Sequence, residues 1–383
     1  MKKFLCLLSL ALICVGIQAQ VYVYGGGTKG LTDEFNDTPD SIIIKPYYRT
    51  PLPAQNTGCL PGIFSVSKDR KVRFSRSNLN YNIASGTWFF SEHQYDTVGG
   101  DISKPAIDQF GFGTSGWEGS GATAYLPTDT SSVESDYQAS IDDVPMSTLT
   151  GYMEQRDFGI YNPVINGGNK PGLWRMPSYN EWNYMLLCRW TPYAIAIINN
   201  IWGIVLLPDG WNEEPTFKLQ PCYYDKNWKD YTTLTEDEIS AILAQYDNDT
   251  LSYGVRNSGM ISIPFYSIMP GYKWSESEPG EAVVDNEHTI EDYNITPEEW
   301  HTYEAKGCVF LPFNKSRNYA GSYTNNTRWQ YYCTYASSLE YGGILLTHGY
   351  NNRASMPWTF IIQVAGNNVP PAVGSCIRLI QDF

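Results

Sequence analysis

The side chains of this chain that could bind a metal or act as nucleophiles are its four histidines and eight cysteines. No two histidines stand two or four residues apart, the spacing at which one strand or one helix turn supplies two ligands to a metal. No C-x-x-C pair occurs, so the cysteines predict neither a zinc site nor a redox pair. We therefore expect no metal centre built from His93, His288, His301 or His348.

Serine and the carboxylates show no better-defined catalytic pattern. The G-x-S-x-G turn of serine hydrolases is absent. Paired carboxylates are neighbours in sequence, at 142–143, 213–214 and 298–299, whereas glycosidase carboxylates come from separate strands, so a carbohydrate hydrolase stays open as an alternative. Asp247 and Asp249 offer oxygen ligands for calcium. They lack the longer alternation of oxygen ligands and the closing glutamate, so no cofactor is predicted.

The densest set of side chains suited to recognition lies near the C-terminus. Residues 317–358 hold seven of the chain's 29 tyrosines, two tryptophans and five asparagines. Such side chains give stiff contact area with hydrogen-bonding tips, as on antibody-like binding surfaces. The alternative is that the tyrosines pack small sheets, since half-buried strands favour the same residues. We expect the ligand-binding residues between the strands here to be Arg328, Trp329, Tyr331, Tyr332, Tyr350, Asn351, Asn352 and Arg353, together with Trp358 at the start of a following strand.

Three capping boxes predict helix starts. In each, a serine or threonine side chain accepts a hydrogen bond from the amide three residues later, and the glutamate there reaches back to the cap amide. They begin at Ser178, Thr235 and Thr296, and Pro297 suits the first position of the last helix. After Ser178, apolar side chains at 182, 185 and 186 fall on one helix face and predict that this helix is buried.

Short runs bounded by Gly, Pro or Asn predict strands through most of the rest. Two alternating runs, 62–67 and 71–75, form a hairpin, and an apolar run over 202–207 ends at Pro208. Further strands are predicted over 308–312, 342–348, 358–364 and 375–380. The fold class is therefore α+β, with short antiparallel sheets, a few capped helices and long loops.

The N-terminus and the charge indicate where the protein works. Two lysines, an apolar run over 4–17 and Ala19 predict a secretory signal peptide over residues 1–19, and no later run is long enough to span a membrane. Residues 20–60 are predicted to be an extension or linker, and 61–383 one domain with insertions. The net charge of −14 argues against nucleic acid as a partner. We expect a secreted or cell-surface protein.

The segment Trp174-Arg-Met-Pro-Ser-Tyr-Asn-Glu-Trp182 resembles the Trp-Arg-Leu-Pro-Thr-x-x-Glu-Trp signature of the formylglycine-generating-enzyme branch of the C-type-lectin-like fold. Together with the glycine-aromatic loop 110–117 and the closing run 374–380, it is similar to secreted and surface proteins of gut-type Gram-negative bacteria, including ones diversified by retroelements. The resemblance implies a C-type-lectin-like domain over 61–383 that acts as a binding or adhesion module. In such folds the chain ends meet, which predicts that the strand around 64–74 lies beside 376–380.

Formylglycine-generating enzymes use two thiols a few residues apart near the C-terminus, one of them a copper ligand. Here Cys333 and Cys376 are 43 positions apart, so that catalytic pair is missing. The predicted function is recognition of a glycan or a protein surface through the C-terminal aromatic loops. An enzyme of the formylglycine-generating type, a carbohydrate hydrolase and a structural component of a surface assembly remain the alternatives.

Overall fold

The computed structural model describes residues 58–67, 69–117, 126–129, 139–141, 144–146, 149, 151–188, 193–222, 270–274, 282–314, 331–336, 343–350, 358–365 and 374–383. All of them belong to one compact unit, Tyr47–Phe383. The predicted leader, most of the predicted extension, the capping box at Thr235 and the calcium ligands Asp247 and Asp249 lie outside the described residues. Within these stretches no helix has the length and apolar character needed to cross a bilayer.

Short strands dominate, and the described helices are few, so the predicted mixture of small antiparallel sheets and helices is confirmed. The strands are β1 (Phe64–Ser65), β2 (Lys71–Phe74), β3 (Leu79–Asn82), β4 (Thr87–Phe90), β5 (Ala106–Ile107), β6 (Gln109–Phe110), β7 (Ala139–Ile141), β8 (Val144–Met146), β9 (Tyr193–Ile198), β10 (Ile201–Leu206), β11 (Pro221–Cys222), β12 (Tyr272–Trp274), β13 (Ala282–Val284), β14 (Asn294–Ile295), β15 (Val309–Pro312), β16 (Tyr331–Ala336), β17 (Gly343–Tyr350), β18 (Trp358–Ala365), β19 (Ser375–Cys376) and β20 (Ile380–Asp382). The helices are a 3-10 helix (Gly151–Arg156), α1 (Phe158–Tyr161), α2 (Tyr179–Asn183), a π-helix (Tyr184–Cys188) and α3 (Pro297–Ala305).

Two five-stranded sheets carry half of the twenty described strands. One has the order β18-β17-β16-β19-β6, and the other runs β11-β9-β10-β15 with β14 joined to β9. Smaller sheets are formed by β1-β2-β20, β4-β3-β5, β12-β13 and β7-β8. Among these pairings only β14 with β9 and β16 with β19 are parallel.

The two ends of the described chain pair with each other, as predicted. β2 lies between β1 and β20, with Phe74 opposite Ile380. The residues before β20 alternate between two apolar clusters, because Ile377 and Leu379 pack in one cluster while Cys376 and Ile380 pack in another. A strand needs this alternation to serve two cores at once.

The β9–β10 hairpin forms the apolar centre of the second sheet. Its two turn residues, Asn199 and Asn200, both have positive φ values, 48° and 63°, which the tight turns of two-residue hairpins require and asparagine tolerates. Every residue of β9 is buried. Strands covered on both faces read as continuous apolar runs, which is why this part of the chain shows no alternation.

The segment from Trp174 to Trp182 forms the predicted buried helix start. Ser178 and Glu181 make both bonds of the capping box, and Trp182, Met185 and Leu186 are fully buried in one cluster. The helix is not a single continuous α-helix, because the chain passes from α2 into the π-helix at Tyr184. The helix face predicted from the sequence is nevertheless the one that packs.

Asp157, which caps α1, shows how this segment is tied to the core. One carboxylate oxygen accepts from the amides of Gly159 and Ile160, and the other accepts from the amide of Met176 at 2.8 Å. The side chain is almost fully buried, and burial raises the pKa of Asp157 to about 6 despite these bonds. The ionised carboxylate is therefore less favourable in the folded protein than in the unfolded chain.

We expect Asp157→Asn to remove a pH dependence of stability. The folded pKa of about 6 lies above the ordinary value of 3.8, so the contribution of Asp157 to stability is full below pH 4 and is lost as the pH rises through 6. Relative to Asp157→Asn, the parent should gain about 2.4 kcal/mol of unfolding free energy between pH 7 and pH 4. Denaturant unfolding of both proteins across this range measures the difference, and a pH-independent difference would contradict the expectation.

The capping box at Thr296 is confirmed as well, and it is exposed. Thr296 and Glu299 make both reciprocal bonds, and Pro297 occupies the first turn of α3. Ile295 and Trp300 are buried in the same apolar cluster, the arrangement of a hydrophobic staple across a helix start. The Glu299 carboxylate also pairs with Lys218 at 2.8 Å.

Candidate functional site

The C-terminal sheet carries the backbone of four of the nine candidate ligand-binding residues. Tyr331 and Tyr332 begin β16, Tyr350 ends β17, and Trp358 begins β18. Tyr350 stands directly opposite Trp358 in the register of β17 and β18. The remaining five candidates, Arg328, Trp329, Asn351, Asn352 and Arg353, lie outside the described residues.

The prediction that the candidates other than Trp358 fall between strands is wrong for Tyr331, Tyr332 and Tyr350, whereas Trp358 begins β18, in agreement with the strand predicted over 358–364. β16 was not predicted as a strand, and β17 continues two residues beyond its predicted end at 348. The physical reason is that tyrosine, tryptophan and threonine fit a pleated, half-buried surface. The same residues that suggested binding loops also favour β structure.

Tyr335 anchors β16 to the core of the protein. Its side chain is fully buried. Its hydroxyl donates to the carbonyl of Pro312 at 3.1 Å and accepts from the side-chain Nδ2 of Asn78 at 3.2 Å. Tyr335 also stands opposite Cys376 in β19. Four residues separate this anchor from Tyr331, about 13 Å along a strand. The aromatic end of the sheet thus starts from a rigid core position.

A second constellation surrounds Asp285, which follows β13. Its carboxylate accepts from the hydroxyl of Tyr293 and from Nδ1 of His288, both at 2.6 Å, and from the amide of Glu287. The Tyr293 hydroxyl, the Glu287 amide and His288 hold the pKa of Asp285 well below its usual range. The ring of the half-exposed Phe217 stacks on the His288 ring with centroids 4.0 Å apart. Asp285 and Phe217 therefore fix the imidazole orientation.

The Asp285 constellation does not fit a metal ion as it stands. Asp285, Glu287 and His288 offer ligand atoms within 4.8 Å of one another. However, both oxygens of Asp285 already accept hydrogen bonds, and the Glu287 carboxylate pairs with Lys273 at 2.9 Å. A bound cation would have to break these bonds. Among the described residues no hydroxyl or thiol hydrogen-bonds Nε2 of His288, so the pair lacks the nucleophile of a catalytic triad.

Sequence reasoning missed this constellation because it treated His288 alone. The short spacing of Asp285, Glu287 and His288 was a local signal that could have been used. Phe217 is about 70 residues away in sequence and joins the cluster only through the fold. A spatial contact of this kind leaves no local pattern.

The cysteines show no sign of activated thiols in the described part of the chain. Cys308 is a fully buried free thiol, and burial raises its pKa well above the usual value. Burial also raises the pKa of Cys59 to about 12. Cys376 is fully buried, and Cys333 lies on the neighbouring strand, two residues before the partner of Cys376. Reactive thiols need a lowered pKa and access.

Comparisons with protein-family models, curated proteins and solved structures find no match to this chain.

Proposed function

We propose that this protein is an exported ligand-binding or adhesion protein that recognises a glycan or a protein surface through its C-terminal aromatic residues. The observation that carries the proposal is the register of the C-terminal sheet. It brings Tyr331, Tyr350 and Trp358, which are far apart in sequence, to the same end of three adjacent strands. Tyrosine and tryptophan are enriched in recognition surfaces.

The proposal includes a C-type-lectin-like fold for residues 61–383 and export by the leader 1–19. The fold is supported by the pairing of β2 with β20 and by the buried, capped helix at Ser178. Export is supported by the basic and apolar N-terminal sequence.

Formylglycine-generating chemistry is the enzyme alternative, and the thiols disfavour it. Such chemistry needs an accessible thiolate. Cys376 and Cys308 are both fully buried, and the pKa of Cys308 is raised. We favour the binding function over this alternative for that reason.

Tyr350→Ala and Trp358→Ala are expected to weaken ligand binding tenfold or more, since truncating a central aromatic residue commonly costs at least 1.4 kcal/mol. The purified parent is screened on a glycan array and on an array of immobilised secreted and surface proteins. The affinity for each hit is then measured for every variant. Thr359→Ala is the matched control because Thr359 alternates with Trp358 along β18. Binding equal to the parent in both variants would contradict the proposed site, and a parent that binds nothing would contradict the proposed function.

A further inference from the structure

Three of the exposed large apolar side chains in the described part of the protein surround the Asp285 constellation. Phe217 stacks on the ring of His288 and is 37% exposed, and Ile290, two residues after His288, is 43% exposed. Val284 directly precedes Asp285 and is 54% exposed. A single exposed apolar residue is ordinary, but several around one point mark an interaction surface. We call Phe217, Val284 and Ile290 the apolar patch.

Buried groups hold the apolar patch in place. The Asp285 carboxylate binds His288, on which Phe217 stacks, and the Asp285 amide donates to the carbonyl of Gly271 at 2.9 Å. Gly271 in turn lies against Ile290, because a Cβ built on this glycine would be 3.8 Å from the Ile290 Cδ1. Asp285 is itself buried. A surface that is already ordered loses little conformational entropy when a partner covers it.

The chain outside the described residues departs from the neighbourhood of this patch and returns to it. β11 ends at Cys222, five residues after Phe217, and the described chain resumes at Pro270, directly before Gly271. Residues 223–269 are therefore tethered at both ends beside the apolar patch. Such a tether keeps the effective concentration of a segment high at a nearby surface. This argument favours a segment of 223–269 over a separate molecule as the partner of the patch.

Residues 223–269 contain one sequence suited to cover an apolar surface. The capping box at Thr235 predicts a helix start. Four apolar residues follow at helical spacing and share one predicted face: Ile239, Ile242, Leu243 and Tyr246. A helix of about 11 residues is not stable alone in water, so its apolar face needs a surface to pack on.

The charges around the two partners are complementary. The predicted helix starts with three acidic residues, 236–238, and Asp247 and Asp249 follow it. On the other partner, Lys218 adjoins Phe217 in the chain, and Lys273 lies two residues after Gly271. An ammonium group has three N–H donors and can bind more than one carboxylate. Opposite charges at the rim of a contact favour it and fix its orientation.

We propose that the apolar patch is the docking surface for the helix predicted at 235–246 of the same chain. The contact removes the apolar faces of both partners from water, which is the main driving force of packing. It is an intramolecular interaction, and it does not depend on the proposed ligand-binding function.

Hydrogen exchange of the full chain, measured by mass spectrometry on peptides that span 236–246, tests the docking. In the parent these amides should exchange at least tenfold more slowly than those of an unstructured chain. Phe217→Ser and Ile290→Ser each remove an apolar contact. Each should accelerate the exchange tenfold or more, since burying one such side chain is worth at least that factor.

Two exposed apolar residues elsewhere supply the matched controls. Ile165 and Leu173 are 52% and 36% exposed, and neither has a described contact with the apolar patch. Ile165→Ser and Leu173→Ser should therefore change the exchange of 236–246 by less than twofold. Peptides from β9 and β10, which lie in the core, report whether each variant is folded.

The reverse experiment measures access to the patch and uses no serine at Phe217 or Ile290. The thiol introduced by Ile290→Cys should react with iodoacetamide at least tenfold more slowly than the thiol introduced by Ile165→Cys, because the docked helix covers it. Adding Ile242→Ser should remove that difference. Adding Ala244→Ser, on the opposite predicted face of the helix, should preserve it. Peptide mapping separates these thiols from the native cysteines.

Three outcomes would overturn the proposal. The first is rapid exchange of 236–246 in the parent, and the second is slow exchange that neither Phe217→Ser nor Ile290→Ser alters. The third is a change of sedimentation: patch variants that convert a dimer into a monomer would assign the patch to a second copy of the chain instead. Should both serine variants unfold, equal labelling after Ile290→Cys and Ile165→Cys would still contradict the docking.

Discussion

Gly307→Ala is expected to lower the free energy of unfolding by about 4 kcal/mol, or to prevent folding, because two independent costs meet at this residue. The first is conformational. Gly307 has a φ of 94° and ends α3 with a Schellman motif. In this motif the Gly307 amide donates to the backbone carbonyl of Glu304 at 2.8 Å, and the Cys308 amide donates to the backbone carbonyl of Tyr303 at 3.1 Å. Only glycine adopts this conformation without strain.

The second cost at Gly307 is steric. A Cβ atom there would overlap the backbone of Gly62, with the Gly62 nitrogen 2.6 Å away, and a Cβ on Gly62 would overlap the Gly307 carbonyl. The two backbones therefore touch with no room for a methyl group. Backbone atoms cannot move aside as the end of a side chain can, so the overlap must displace either α3 or the strand that follows Gly62.

Two other glycines separate these costs. Gly172 has a φ of 74° and nothing within 4 Å of its added Cβ, so Gly172→Ala should cost only about 1 kcal/mol from strain. Gly62 lacks a positive φ but has the overlap, so Gly62→Ala should cost about 3 kcal/mol. Chemical denaturation of the three variants measures the differences. If Gly307→Ala were as stable as Gly172→Ala, the backbone at Gly62 would have to shift away from the added Cβ without a measurable cost in stability.

Local signals in the sequence predicted the local structure well. The capping boxes at Ser178 and Thr296 were readable because all their bonds lie within four residues. The burial of Trp182 followed from helical spacing in the same way. The pairing of β2 with β20 came instead from the resemblance, because no property of either strand alone names its partner.

The parts that were not predicted depend on distant residues. The contact of Gly62 with Gly307 joins positions 245 apart, and neither glycine differs in sequence from one in a loop. For the candidate site, the aromatic composition of residues 317–358 singled out this segment, but composition alone could not distinguish its loops from its strands. Only the register of β17 and β18 shows that Tyr350 stands opposite Trp358.

Glu181→Ala is expected to lower the free energy of unfolding by about 3 kcal/mol. The Glu181 side chain is 1% exposed. Its two oxygens accept from both terminal nitrogens of Arg175, at 2.7 and 2.8 Å, from Arg70 at 2.7 Å and from the amide of Ser178 at 2.8 Å. Removing the carboxylate leaves the partly buried Arg175 with only Asp382 as a charged partner among the described residues.

The same substitution at Glu299 is the matched control, because the chain has a second capping box in a different environment. The Glu299 side chain is 45% exposed and pairs with Lys218. An exposed ion pair and cap together contribute about 1 kcal/mol, screened further by salt. We therefore expect Glu181→Ala to cost about three times as much as Glu299→Ala, and the difference to widen in high salt.

A double-mutant cycle identifies the source of the Glu181 effect. If the bidentate contact carries it, Glu181→Ala and Arg175→Ala combined should cost clearly less than the sum of the two, with a coupling of about 2 kcal/mol. Unfolding by denaturant at low and high salt supplies the four free energies. Additive costs would mean that Glu181 acts through the Ser178 cap and Arg70 rather than through Arg175. In that case the arginine of the Trp-Arg-Met-Pro segment would serve the terminal strand through Asp382, and the cap and the strand pairing would be independent features of the fold.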